Sequence, residues 1–172
     1  MLKNLFRRKS DNEADQPGWI SLKAPLGGTI VPIEKVPDPV FAQRMVGDGI
    51  AILPDTDKVL APVSGILTHI FPTGHAAGIT TPEGIEILIH VGIDTVELKG
   101  EGFEILAKQG QKVEAGTPLI RLDLPKLREI ARSTITPVII TNMPLVKEIQ
   151  KISAERVRPG EAGLLRVIPT KK

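Results

Sequence analysis

Two histidines stand where a reactive group could be held. His90 closes the apolar run Gly84-Ile-Glu-Ile-Leu-Ile-His90, and His75 lies in the glycine-flanked loop Pro72-Thr-Gly-His-Ala-Ala-Gly78. Imidazole is the one side chain that titrates near neutral pH without help. A pair of histidines allows three chemistries: metal ligation, acid–base catalysis, or phosphoryl carriage with a helper. Catalytic zinc usually takes three protein ligands. Asp94 could nominally join His75 and His90, but His90 and Asp94 would compete for geometry along one short turn. His69 sits mid-strand without such a setting and reads as a bystander. A lone strand histidine is structural more often than reactive, so the pattern alone leaves all three chemistries open. Other chemistries are excluded. The chain has no cysteine, hence no disulfide, thiolate nucleophile or zinc-thiolate site. It has no Gly-x-Ser-x-Gly elbow, and no phosphate-binding glycine loop precedes a helix. Gly47-Asp-Gly49 reads as a strand-entry turn.

The elements that must position these residues are short and extended. Ile, Val and Thr are abundant, and β-branched residues favour strands. Candidate strands are Trp19–Leu22, Gly28–Ile33, Gly49–Leu53, Val59–Ala61, Gly65–Phe71, Ala77–Thr81, Ile85–Val91, Val113, Leu119–Asp123, Pro137–Thr141 and Leu164–Val167, separated by turn-rich pieces such as Thr81-Pro-Glu-Gly84. Strand alternation puts Ile85, Ile87 and Ile89 on one face and Glu86, Leu88 and His90 on the other. Helix signals are few: Phe41–Met45 after Pro39, Gly102–Gln109, Leu124–Ser133 and Asn142–Ile149. Ala24-Pro-Leu-Gly-Gly-Thr-Ile30 is echoed by Ala61-Pro-Val-Ser-Gly-Ile-Leu67. The expected fold is all-β: an antiparallel β-sandwich or barrel with an internally duplicated motif and a few short helices.

Composition narrows the partners. A net charge of +2, with one Trp, four Phe and no Tyr, supplies neither the basic face nor the stacking platform of a nucleic-acid binder. No apolar run approaches the length of a membrane span; the longest, Ile85–Ile93, is interrupted by Glu86 and His90. Residues 19–172 read as one domain and residues 1–18 as a flexible tail. In the tail, Met1, Leu2, Leu5 and Phe6 recur at helical spacing beside Lys3, Arg7, Arg8 and Lys9. A short amphipathic anchor over residues 1–9, touching an anionic membrane weakly, is one reading; a frayed basic tail is the other. There is no secretory signal, so the expected location is the cytoplasm, with the tail able to touch the inner face of the membrane.

Read in order, Ala24-Pro-Leu-x-Gly28, Val36-Pro-Asp-Pro-Val-Phe-Ala42, Met45-Val-Gly-Asp-Gly-Ile-Ala51, Ala61-Pro-Val-x-Gly65, His90-Val-Gly-Ile-Asp-Thr-Val-Glu-Leu-Lys-Gly-Glu-Gly-Phe103 and Ser133-Thr-Ile-Thr-Pro-Val138 carry a resemblance. From about Ile20 to Ile168 the chain resembles the glucose-type enzyme IIA family of the bacterial phosphoenolpyruvate-dependent sugar phosphotransferase system. The resemblance implies an antiparallel β-sandwich. It implies that His90 is the phosphorylated histidine, accepting from the phosphohistidine of the carrier protein HPr and donating to a cysteine of an enzyme IIB domain. It implies that His75 assists transfer and that Thr73 orients His75. Fixing the tautomer requires the other ring nitrogen of His90 to donate, with a loop carbonyl near Gly92 the candidate acceptor. The match also implies a docking surface of Asp38, Val40, Phe41, Val46, Phe71, Leu88 and Asp94. Leu88, where some relatives carry phenylalanine, and Ala77, placed in a loop, are departures that leave the sugar undefined.

No cofactor is required on this reading, although a zinc ion shared between His75, His90 and a partner's carboxylate is conceivable. The protein is expected to be a monomer, and regulatory target proteins that sense its phosphorylation state are compatible with the same face. Two rivals are weaker. A biotinyl or lipoyl carrier would need a Met-Lys-Met-type hairpin, and a lysostaphin-like zinc peptidase would need a His-x-His partner. The chain has neither.

Overall fold

Short β-branched segments punctuated by glycine and proline cannot build long elements, and no strand among the described residues exceeds the seven of Asp48–Pro54. The computed structural model describes residues 18–170. In chain order it contains β1 (Ile20–Leu22), β2 (Gly28–Pro32), α1 (Pro39–Ala42), β3 (Asp48–Pro54), β4 (Lys58–Leu60), β5 (Gly65–Ile70), β6 (Ala76–Thr80), β7 (Glu86–His90), β8 (Phe103–Ile105), β9 (Lys112–Val113), β10 (Pro118–Leu122), α2 (Leu124–Ile130), β11 (Thr136–Ile140), β12 (Val146–Lys151), β13 (Arg156–Val157) and β14 (Leu165–Pro169). Single 3-10 turns cover Ile33–Lys35, Thr95–Leu98 and Met143–Leu145. The N-terminal tail, including the amphipathic segment 1–9, lies outside the described residues apart from Gly18.

An eight-stranded sheet runs β13-β2-β3-β11-β7-β6-β5-β9, and two three-stranded sheets run β1-β14-β12 and β4-β10-β8. Their neighbouring strands all pair antiparallel. One apolar core, from Leu22 through Ile52, Leu67, Ile87 and Leu119 to Val167, is shared by all three sheets. This is the all-β sandwich expected from the sequence.

The duplicated motif is a structural repeat. β2 lies between β13 and β3, as β5 lies between β9 and β6. Ala24 N–H donates to Glu161 O while Gly160 N–H donates to Ala24 O, and Ala61 repeats both bonds with Thr117 and Gly116. The copies also bond each other, Lys23 N–H to Pro62 O and Leu60 N–H to Pro25 O. Gly28 and Gly65 are required by close approach: a Cβ would stand 2.0 Å from Leu53 O and 2.3 Å from Thr80 O respectively.

Tertiary pairing overrode local helix signals twice. Within Gly102–Gln109 the chain forms β8, because Phe103, Glu104 and Ile105 pair with Leu122, Arg121 and Ile120. Asn142–Ile149 yields one 3-10 turn and then β12, which pairs with β14. Ala77 is not in a loop; it lies in β6, fully buried in the core. The two-residue β13 has too little sequence to announce itself.

Candidate functional site

β7 carries the site. Ile87 and Ile89 enter the main core, as alternation demands. The opposite face is covered rather than bare. Leu88 packs against a second cluster of Ile33, Val36, Phe41, Ala51, Ile93 and Ile139. α1 brings Phe41 there. Four residues make a marginal helix, and this one is fixed by its ends: Asp38 caps it, accepting from Val40 N–H at 2.9 Å with Pro39 in the first turn. Beyond it, Arg44, in left-handed backbone (φ 56°), pairs with Glu34 at 2.6 Å and Asp48 at 3.1 Å. The Asp48 carboxyl is held below its usual range: against the upward push of burial, Lys151, the Gly49 N–H and Arg44 together prevail.

Antiparallel register brings the histidines together. Ala76 opposes His90, so the residue before β6, His75, sits beside the end of β7. Val91 N–H donates to His75 O at 2.7 Å, and the tight Phe71–Gly74 turn is closed by Gly74 N–H to Phe71 O. The two imidazoles lie 5.2 Å apart, centroid to centroid, edge to face at 77°. Phe41 flanks His90 and Phe71 flanks His75, each at 5.1 Å, so four rings form a continuous row.

The ring nitrogens are distinguished by their partners. His90 Nδ1 is 2.8 Å from Gly92 O. A carbonyl only accepts, so Nδ1 carries the proton, and in neutral His90 the lone pair is on Nε2. His75 Nδ1 is 2.5 Å from Thr73 Oγ1. Burial pushes the His75 pKa down from 6.5 to about 4, with His90 adding repulsion. Burial also lowers the His90 pKa, opposed by its bond to Gly92 and by the charges of Asp38 and Asp94. Both rings are therefore neutral at pH 7, one presenting a nucleophilic nitrogen beside the other. Asp94, in left-handed backbone, is paired with Arg132 at 2.8 Å.

The chain matches the family described as "phosphoenolpyruvate-dependent sugar phosphotransferase system, EIIA 1" over residues 20–146. It belongs to that family. It is similar to the "PTS system glucose-specific EIIA component" of Halalkalibacterium halodurans, 47% identical over 97% of this chain and 98% of the relative. The protein of that name from Oceanobacillus iheyensis is 44% identical, over 98% of this chain and 99% of the relative. Among solved structures, "glucose permease IIA from Mycoplasma capricolum" superposes with a TM-score of 0.81 at 41% identity, covering 86% of this chain and 95% of that one. As a glucose-type EIIA this protein is a phosphocarrier component of the sugar phosphotransferase system, and the family implies HPr and an EIIB/EIIC sugar permease as partners.

The surface around this EIIA site carries exposed apolar side chains. Val40, Val46 and Phe71 are exposed, and Leu88 is half-buried. Phe41 differs from the surface position expected of it: it is only 6% exposed, its ring spent on the second cluster and on His90. Met45 and Val96, which the expected docking surface did not include, are also exposed, one beside Val46 and the other following Thr95. A concavity of about 520 Å³ lies elsewhere, between β8, β10 and α2, and no histidine lines it. His69, on β5, is exposed and borders a groove shared with Phe71 and Leu88. No group of three or more His, Asp or Glu arranged for a metal occurs among the described residues. With both Nδ1 atoms engaged, a zinc ion here would have only the two Nε2 atoms of the histidine pair and would need further ligands from a partner. Sequence reasoning also missed Thr95 and Arg132. The only signal for either was its place inside or beside a matched motif.

Proposed function

We propose that Nε2 of His90 accepts the phosphoryl group from the phosphohistidine of HPr and passes it to the cysteine thiolate of an enzyme IIB domain. In the first step the N–P bond in HPr breaks as the His90 Nε2–P bond forms. In the second that bond breaks as S–P forms on the thiolate, and the His90 ring returns to neutral. The observation that carries this reading is the bond from His90 Nδ1–H to Gly92 O, which leaves Nε2 as the free nucleophile in the resting protein.

His75 serves as the helper. Its neutral ring has one proton to give, and if Thr73 donates to Nδ1 that proton sits on Nε2, where it can bond the phosphoryl oxygens as charge spreads over them. Removing such a donor typically costs about 3 kcal/mol, or about a hundredfold in rate. Asp38, Val40, Phe41, Val46, Phe71, Leu88 and Asp94 form the docking region. Val40, Val46 and Phe71 give an apolar ring, and Asp38 and Asp94 meet basic residues of partners. Phe41 acts from beneath, as a support. A phosphoryl group adds roughly −1.5 to −2 charges there, which would repel regulatory partners that bind the unmodified face.

The test is labelling from phosphoenolpyruvate with enzyme I and HPr, followed by mapping of the modified residue. His90→Gln is expected to accept nothing. His75→Gln is expected to accept phosphate and donate it about a hundredfold more slowly. Labelling of His90→Gln refutes the assignment.

A further inference from the structure

The Gly92–Ile93 peptide is bonded on both of its sides. Gly92 O accepts from His90 Nδ1 at 2.8 Å, and Ile93 N–H donates to Ser133 O at 3.0 Å. Such a chain polarises the shared peptide and strengthens its carbonyl as an acceptor. The preceding peptide is held too. Thr95, 1% exposed, donates its hydroxyl to Val91 O at 2.5 Å. Its Cγ2 and Ser133 O press on Gly92 so closely that a Cβ there would lie 2.5 and 2.6 Å from them, and Gly92 is left-handed at φ +76°. Val91 N–H in turn bonds His75 O. The turn is therefore a rigid bracket with one function-bearing atom, the Gly92 oxygen.

We infer that Thr95 is a positioning residue for phosphoryl acceptance: its buried hydroxyl, with the Ser133 carbonyl, aims the Gly92 carbonyl at His90 Nδ1 and so keeps the lone pair on Nε2. This rests on His90 being the acceptor. A threonine that merely filled space would be replaced by valine without consequence for the imidazole.

The test uses full-length Thr95→Val, which keeps the shape and deletes the hydroxyl, and Thr95→Ser, which keeps the hydroxyl. Two readouts are taken: ring-nitrogen chemical shifts of neutral His90 by ¹⁵N NMR, and the single-turnover rate of phosphorylation by phospho-HPr. The valine variant is expected to gain the Nε2–H tautomer and to accept about fivefold more slowly, the worth of one net hydrogen bond. The serine variant is expected to restore both. If Thr95→Val does not fold, Thr95→Ala carries the same expectation. Unchanged His90 shifts in the hydroxyl-free variant, or failure of serine to restore them, overturns the proposal. The NMR arm needs no partner protein, so wild-type chain that is labelled elsewhere than His90 would refute His90 as the acceptor and leave the tautomer result readable.

Discussion

Burying His75 next to a second histidine makes the fold sensitive to acid in a defined window. In the unfolded chain its pKa is the ordinary 6.5; in the folded chain burial and His90 hold it at about 4. The unfolded state binds more protons between those values, so stability rises with pH across that window and is lost as pH falls through it. At pH 5 the unfolded imidazole is almost fully protonated and the folded one almost fully neutral. Integrated from pH 7 to pH 5, this residue alone removes about 2 kcal/mol of stability. For a domain of this size that is about 4–8 °C in Tm. The depressed pKa of His90 acts with the same sign, so a bare pH dependence would not isolate His75. The perturbation is therefore His75→Gln, whose amide does not titrate and can still bond Thr73. The assay is urea denaturation of both proteins at pH 7 and pH 5, with an NMR titration of His75 in the wild type. Wild type is expected to lose about 2 kcal/mol more than the variant between the two pH values. An equal loss in both, or a His75 midpoint near 6.5, refutes the argument from burial.

Four further outcomes are expected. Asp38→Asn keeps a good helix cap but removes a charge that supports protonated His90; NMR titration should show the His90 pKa falling further, with thermal stability nearly unchanged. Phe41→Ala removes a buried ring from the second cluster and should cost about 3 kcal/mol or more by denaturation. Phe71→Ala removes a ring that is 42% exposed, and should chiefly weaken HPr binding, read by titration calorimetry. Gly92→Ala forces a Cβ against Ser133 O and Thr95 in left-handed backbone, and denaturation should show a loss of about 2 kcal/mol or more.

The partners of His90 divide by how far away they lie in sequence. Gly92 is two residues on, and a glycine directly after a strand is a local signal for a turn. For that reason the sequence already points to a loop carbonyl near Gly92 as the candidate acceptor, and the structure shows it to be that of Gly92 itself. Thr73 and His75 are likewise two apart. Phe41 is nearly fifty residues upstream, and its sequence signature, one aromatic in a Pro-Val-Phe-Ala stretch, fits a surface helix as well as a buried one. Only the second cluster on the outer face of the large sheet decides that it lies against His90. Arg132 and Ser133 reach the Gly92–Asp94 turn through the Ile93–Ser133 bridge, a contact set by the path of the chain after α2.

By itself the sequence determined the element class, because β-branched runs broken by glycine and proline leave few alternatives to short antiparallel strands. It determined the alternation of β7 that puts His90 opposite the isoleucines, because strand periodicity is local. It also carried the duplicated motif, in two stretches of matching residues. Tertiary structure decided where pairing energy overrides local preference: β8 and β12 are strands because Ile120, Arg121 and Leu122, and the run Leu165–Pro169, lie alongside them. Above all it decided the chemistry of the histidines. Their neutrality at pH 7, their contact at 5.2 Å and the identity of the free nitrogen depend on burial, on the Ala76–His90 register and on one carbonyl. A pKa and a tautomer are properties of surroundings, and those surroundings come from segments far apart in the chain.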